Sequence, residues 1–306
     1  MNEDNFFMLT LKPITLEDKE LFDNYIHGNG YTQSEASFAN LYIWKDAWEV
    51  CVGHDENAVY VSMDSDIYRP FLMAPFRKDM EKSFCETMEQ AREYMTRTYG
   101  TFYMKSVPEG LKNIIQRDCG DAYEFRYDEY NSDYVYNIQD LIELRGKKYH
   151  GKKNHINKFL RTYTSEFDAY TAKDREACLA VQRKWASLKQ VDEREAEEEY
   201  RSIERALDKF DMLGLVGCVV RIGGEVVAFS IGERITEDTA LIHIEKADDS
   251  FHGLYPYINR EFLANFFSDL TYVNREEDMG VPGIRQAKRS YHPAFMIDKY
   301  DAVYKP

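Results

Sequence analysis

"LVGCVVRIGGEVVAFSIGERI", residues 215–235, holds two apolar runs on either side of Gly223-Gly224. Paired glycines supply the positive φ that a tight turn requires, and the flanking Val, Ile and Phe suit strands, so the stretch predicts a β-hairpin. Working outward, "FDAYTA" (167–172) and "TALIHIEKA" (239–247) predict further strands. Between the first of these and the hairpin lie two helical patterns. One runs over 174–188, with Cys178, Val181, Trp185 and Leu188 at helical spacing. The other is a charged helix to about Phe210 that buries Ile203, Leu207 and Phe210. Downstream, "GLYPYINREFLANFF" places Leu254, Ile258, Phe262 and Phe266 four residues apart, with Pro256 tolerable only in a first turn. "LTYVN" returns to strand, "VPGIRQAKRSY" to helix, and "MIDKYDAVY" predicts a closing strand.

The resulting order, β-α-α-β-β-β-α-β-α-β, is that of the GCN5-related N-acetyltransferase (GNAT) fold, a mixed sheet flanked by helices. The first half fits the same template: a strand at 7–14, a helix opened by Thr15 and Asp18 as a capping box, and a second helix at 34–48. Short strands follow at 48–52, 58–63 and 68–74, with "GHDEN" as a turn. A helix from Asp79 to about Tyr99, a strand at 101–105, a helix at 108–117 and a strand near 122–127 complete it. No residue-level repeat is visible, so the duplication is one of element order. The expected fold class is α/β (α+β): two tandem GNAT-like domains, mixed sheets flanked by helices. They are expected over residues 1–140 and 166–306, with a basic junction segment at 141–165. A length of 306 residues accords with two domains.

A composition of 44% hydrophobic and 30% charged residues is that of a globular chain with a sizeable core. No stretch approaches the roughly 18 apolar residues of a membrane span. The start, "MNEDNFFMLTLKP", lacks the features of a signal peptide. Five scattered cysteines without CxxC spacing predict reduced thiols in a cytoplasm, with neither a zinc site nor a disulfide framework. The net charge of −15 disfavours polyanions overall, but its distribution is uneven. "RGKKYHGKKNHINKFLRTY" (145–163) carries seven Lys/Arg, two His and no acid. Residues 191–211 carry nine acids against four bases and read as a solvated helix face.

Polar density concentrates in 243–255, in "YVNREEDMGVPGIRQAKRSY" (272–291) and in "DKY" (298–300). In this fold the strands before and after the third helix are neighbours, which brings Glu245 and Lys246 towards Asn274, Arg275 and Glu276. Strand alternation sends Asn274 and Glu276 to one face, Arg275 and Glu277 to the other. The turn "DMGVPG" presents a helix N-terminus that suits an anion or carboxylate. The competing reading is a salt-bridge network in which Lys288 and Arg289 neutralise the acids. His243, mid-strand in "LIHIEK", reads equally as a satisfied core histidine or a general base. His155, among lysines, reads as a surface or phosphate-contacting group, and neither histidine has metal-ligand company. Acetyl-CoA users hold the pyrophosphate on a Gly-rich turn after the fourth strand. Here that turn, "KADDSFHGLYPY", has one glycine, Gly253, and two acids, and "LMAPFRKDM" in the first half has no glycine. Acetyl-CoA is therefore disfavoured.

The stretches "LRGKKYHGKKNHINKFLRTY", "HIEKAD…GLYPYINREF" and "YVNREEDMGVPGIRQAKRSYHP…DKY" resemble the bacterial family DUF2156, which is similar to the C-terminal cytoplasmic domain of phosphatidylglycerol lysyltransferases. These stretches cover most of 143–304; the first 130 residues match more loosely, through "SEASFANLYIWKDAW". The resemblance implies a tandem GNAT-like architecture shared with Fem-type aminoacyltransferases, no cofactor, aminoacyl-tRNA as donor, and a lipid or peptide acceptor. It also implies a cytoplasmic or membrane-peripheral location. The flippase region of those relatives has no counterpart here, which leaves the lipid acceptor open. An aminoacyl ester is already activated, so the enzyme must orient the acceptor, remove its proton and stabilise an oxyanion. Glu245, Arg275, Glu276 and Lys288 are then the catalytic candidates. His243, Lys246, Asn274, Asp278, Tyr291 and Lys299 are candidates for binding substrate, with Glu245, Glu276 and Asp278 facing its α-ammonium and Arg275, Lys288 and Lys299 its ester oxygen or phosphate. Lys147, Lys148, Lys152, Lys153 and His155 would meet tRNA phosphates. Two other readings stand beside this one: a non-catalytic ligand-binding protein of the same fold, and a CoA-dependent N-acetyltransferase.

Overall fold

The computed structural model describes residues 8–26, 28–65 and 69–305. The chain divides into two compact units, one running to Asp133 and resuming at Ile297, the other spanning Tyr134–Met296. Among the described residues no helix is long and apolar enough to cross a membrane.

In chain order the first unit contains β1 (Lys12–Pro13), α1 (Lys19–Ile26), α2 (Phe38–Ile43), β2 (Cys51–His54), β3 (Ala58–Met63), β4 (Phe71–Met73) and β5 (Phe76–Arg77). It continues with α3 (Cys85–Tyr99), β6 (Tyr103–Pro108), α4 (Glu109–Cys119) and β7 (Tyr123–Tyr127). The capping box forms: Asp18 accepts from the Thr15 backbone N at 2.8 Å and from its hydroxyl at 3.0 Å. Of the strand expected at 7–14 only Lys12–Pro13 is paired, and Phe7 lies outside the described residues, as does Tyr68 of the strand expected at 68–74. The helix expected from Asp79 starts at Cys85, and that expected over 34–48 reduces to a 3-10 turn at Ser34–Ala36 and the short α2.

The second unit comprises β8 (Asp133–Asn137), α5 (Ile138–Glu143), α6 (His150–Thr162), β9 (Ser165–Ala169), α7 (Arg175–Lys189), α8 (Glu193–Asp208) and α9 (Phe210–Leu213). The hairpin pair β10 (Val216–Ile222) and β11 (Glu225–Arg234) turns at Gly223-Gly224, followed by β12 (Thr239–Ala247), α10 (Leu254–Phe266), β13 (Tyr272–Asn274), α11 (Pro282–Arg289) and β14 (Phe295–Ile297). Its sheet runs β14-β8-β13-β12-β11-β10-β9, antiparallel through the hairpin and parallel between β12 and β13. Thr171 and Asp174 form a second capping box before α7, with bonds of 2.9 Å from both the Thr171 N and hydroxyl. The Thr-x-x-Asp pair thus opens α1 in the first unit and α7 in the second, a residue-level echo of the duplication that element order alone does not reveal.

Two boundaries differ from expectation. The closing stretch is two strands: β14 belongs to the second sheet, while β15 (Lys299–Tyr304) lies between β6 and β7 in the first, whose order is β1-β2-β3-β4-β6-β15-β7 with β5 on β3. The basic segment is no separate junction. Its Tyr149, Ile156 and Phe159 are buried in the second unit's core with Leu254, Tyr257 and Ile258 of α10, and that apolar stripe fixes α6 within the unit.

Candidate functional site

β12 and β13 pair over Thr239–Leu241 and Tyr272–Asn274, but β12 continues to Ala247 while β13 stops, so the two strands part at that point. Asn274 ends β13 by accepting from the Glu276 N at 2.7 Å, and Glu276 turns the chain with φ +59°. Lys288 on α11 donates to the released carbonyls of Arg275, at 2.6 Å, and Glu277. Asp278, fully buried, accepts from the Tyr134 hydroxyl at 2.6 Å, the Gly280 N at 2.8 Å and the Arg285 fork at 2.8 and 2.9 Å. Burial would raise its pKa; the Arg285 and Tyr134 bonds win and hold it at about 2. Much of the charge in this stretch is therefore committed to fixing the strand-to-helix turn.

His243 is the extra residue of a bulge, skipped between the pairs Ile231–Ile244 and Gly232–Ile242. Only glycine fits at 232, where a Cβ would stand 2.4 Å from the Leu241 carbonyl oxygen. His243 is buried with Nε2 2.9 Å from Glu233 Oε1 and Nδ1 3.2 Å from Glu276 Oε1. Burial alone would lower its pKa, but the two carboxylates outweigh that and raise it to about 9. An imidazolium donating from both nitrogens is a satisfied core histidine at neutral pH, not a general base. The raised pKa stabilises the fold fully below the unfolded value near 6.5, and that stability is lost as pH rises through about 9. We predict a loss of about 3 kcal/mol between these limits, read as a falling midpoint in melts taken from pH 6 to 9.5. A flat response would mean that the ring is neutral.

Glu245 and Arg275 straddle the point where the strands part. Arg275 Nη2 donates to Glu245 Oε1 at 3.0 Å, Asn259 of α10 donates to the other oxygen at 3.2 Å, and both charged side chains are largely buried. The Arg275 guanidinium lies 5.2 Å from the Tyr291 ring centroid and 5.9 Å from that of Tyr136. Lys152 of α6 places Nζ 3.7 Å from the centroid of the same Tyr291 ring. Among the described residues no carboxylate lies within ion-pair distance of Lys152. Burial, then repulsion from Arg275, lowers its pKa to about 8, with Glu245 opposing. Lys152, expected at a tRNA phosphate, is half-buried and turned to the ring, whereas Lys147, Lys148 and Lys153 are exposed. The signal was present: Lys152 lies three residues after Tyr149 and four before Ile156, on the buried stripe of the segment.

The remaining candidates separate. Lys246 points to the opposite face of β12, with Nζ 2.6 Å from Glu199 of α8 and 3.3 Å from the Trp185 ring centroid of α7. Glu199 also accepts from Gln182 at 2.6 Å, a grouping the sequence reading missed. Lys299 belongs to the first unit, fully buried on Asp133 and Glu35, each at 2.6 Å, and on the Ser34 hydroxyl at 3.1 Å. His155 pairs with His252 at 2.9 Å beside an open cavity of about 210 Å³ that Lys152, Phe251, Gly253 and Tyr255 also line. A Cβ at Gly253 (φ +91°) would stand 2.3 Å from the His155 carbonyl oxygen, so this glycine serves the close approach of α6 to the start of α10. The acids of the same turn are tied to α7: Asp248 to Lys184 at 2.5 Å, Asp249 to Lys189.

The family described as "Phosphatidylglycerol lysyltransferase, C-terminal" matches residues 30–303. A conserved protein of unknown function from Bacteroides thetaiotaomicron superposes with a TM-score of 0.90 at 30% identity, covering 97% of this chain and all of that one. L-PGS from Bacillus licheniformis does so with a TM-score of 0.65 at 16% identity, over 94% and 92% of the two chains. A tandem GNAT protein from the clavulanic acid biosynthesis pathway gives 0.53 at 10%, over 97% and 99%. The fold is thus the tandem GNAT-like one expected from element order. An uncharacterized protein of Mycoplasmoides gallisepticum is 28% identical over 180 residues, 56% of this chain, and the match spans about half (56%) of that relative's length.

Proposed function

This chain belongs to the phosphatidylglycerol lysyltransferase C-terminal family, and from that premise we propose that it is an aminoacyltransferase moving an aminoacyl group from aminoacyl-tRNA to a lipid or peptide acceptor. One observation carries the proposal: a lysine with its pKa near 8 faces Tyr291 beside the buried Glu245–Arg275 pair, where the central strands part. An amine of that pKa exchanges a proton near neutral pH, as general acid–base catalysis requires. The acceptor's oxygen or nitrogen attacks the ester carbonyl carbon while Lys152 takes its proton. The bond from that carbon to the terminal ribose oxygen then breaks, and the protonated Lys152 returns the proton to the ribose oxygen. Glu245 and Arg275 set the charge around Lys152; Glu276 and Lys288 position the strand end rather than react.

Two features support tRNA over acetyl-CoA as donor. α6 closes against the start of α10 at Gly253, where a CoA pyrophosphate would sit in this fold, and the basic segment exposes Lys147 and Lys148 in the turn before α6 and Lys153 on it. Lysines of α7 neutralise the acids of that turn, so it is the close packing of α6 at Gly253, and not charge repulsion, that opposes a CoA pyrophosphate there. A charged-tRNA donor also implies work on the cytoplasmic side, at the membrane surface if the acceptor is a lipid. Alanine at Lys147, Lys148 and Lys153 together should flatten the dependence of log tRNA affinity on log salt by roughly 0.7–0.9 per lost contact. Filter binding across 50–300 mM salt measures the slope. An unchanged slope would remove these lysines from the tRNA interface.

A further inference from the structure

We propose that Cys85 and Cys119 form an oxidation site, closing to an intrachain disulfide on exposure to a hydroperoxide and tying the start of α3 to the end of α4. Their sulfurs stand 3.0 Å apart although the residues are 34 positions apart in sequence, and both are partly exposed. Neither sits in a loop that must be captured. Cys85 is the first residue of α3 and Cys119 the last of α4, and Leu111 and Ile115 of α4 pack in one core with Phe84 and Met88 at the start of α3. The approach is held from two more directions: the Asp118 carboxylate accepts from the Phe84 N at 2.8 Å, and its carbonyl accepts from the Cys85 thiol at 3.0 Å. Contraction to bonding distance needs about 1 Å of side-chain movement.

Burial, then the neighbouring Cys85 sulfur, pushes the Cys119 thiol up to about 12. Cys119 is therefore the resolving partner and Cys85 the first to react. The Cys85 thiolate attacks the terminal peroxide oxygen, the O–O bond breaks, and a sulfenic acid forms with hydroxide leaving from hydrogen peroxide, or alkoxide from an organic hydroperoxide, which takes up a proton. The Cys119 sulfur then attacks the Cys85 sulfur, the S–O bond breaks, and water leaves with the Cys119 proton. Two thiols are oxidised by two electrons and one hydroperoxide is reduced to the corresponding alcohol, or to water, plus water. Cys178 and Cys218 are buried and have no part in this.

The test is titration of the intact reduced protein with hydrogen peroxide, followed by thiol counting, peptide mapping under non-reducing conditions and thermal melts. Free thiols should fall by two from the five present, with a cross-linked peptide joining residues 85 and 119 that dithiothreitol releases. The first unit should melt about 5–10 °C higher when oxidised, because the bond closes a long loop. Cys51→Ser should leave all of this intact, while Cys85→Ser or Cys119→Ser should abolish the cross-link and the shift. Sulfinic acid at either cysteine with no 85–119 peptide, or a link through Cys51, would overturn the proposal, and the mapping on the unmutated chain decides this even if a serine variant folds poorly.

Discussion

Lys152→Met is expected to lower aminoacyl transfer by about two to four orders of magnitude, the range that a positioned general acid–base group contributes, while the protein stays folded. Its amine is desolvated, lies 3.7 Å from the Tyr291 ring centroid, and has no carboxylate within ion-pair distance among the described residues. Methionine keeps the length and apolar stem that packs on the ring and removes only the amine. The melting temperature should move by no more than about 2 °C, upward if loss of a buried cation outweighs loss of the ring contact. Rates of transfer measured beside melts of the same preparation check both halves. A variant that transfers at the wild-type rate would remove Lys152 from the reaction.

Arg275→Ala should have the largest effect on stability. Its partner Glu245 is largely buried and would keep only the Asn259 amide. A buried pair broken on one side costs on the order of 3–5 kcal/mol, equivalent to a fall of about 10 °C or more in a unit of this size. Replacing both partners, as Glu245→Leu with Arg275→Met, should recover most of that stability, since it leaves no uncompensated charge. The double variant should nevertheless transfer more slowly than the wild-type chain, because the charges set around Lys152 are gone. In the folded fraction of Arg275→Ala, the pH–rate profile offers a second readout. Arg275 lowers the Lys152 pKa by repulsion and Glu245 raises it, so removing the arginine should move the rising, low-pH limb, which reports the base that must be neutral, to higher pH, and Glu245→Gln should move it lower. Profiles that do not move would separate the pair from Lys152.

Much of this fold was legible because its signals are local. The glycine pair at 223–224, the four-residue spacing from Leu254 to Phe266 and the Thr15–Asp18 box each specify one element through backbone chemistry that no distant contact overrides. The end of the chain was not legible in the same way. "MIDKYDAVY" reads as one strand, and only pairing partners far away in sequence divide it at Asp298 between two sheets; Lys299 was placed with the wrong unit for that reason. The charge at 274–278 marked the stretch where polar side chains converge, but not what each of them contacts. Asp278 and Lys288 turned out to hold the turn, and His243 to sit protonated between two carboxylates that approach only through a bulge. Lys152 was hidden by its company. Counted among seven basic residues it looks like part of a phosphate-binding face, and only its register with Tyr149 and Ile156 sets it apart.

The proposed reaction is transfer from aminoacyl-tRNA at the Lys152 site. The most direct measurement incubates the purified chain with a tRNA pool carrying labelled aminoacyl groups, together with membrane lipids and peptide acceptors, and follows the label. For an aminoacyltransferase working through Lys152, label leaves tRNA faster than spontaneous ester hydrolysis and appears on a lipid or peptide, and Lys152→Met returns the loss to the spontaneous rate. Label that stays on tRNA for the wild-type chain, alongside low-micromolar binding of CoA in a calorimetric titration, would contradict it.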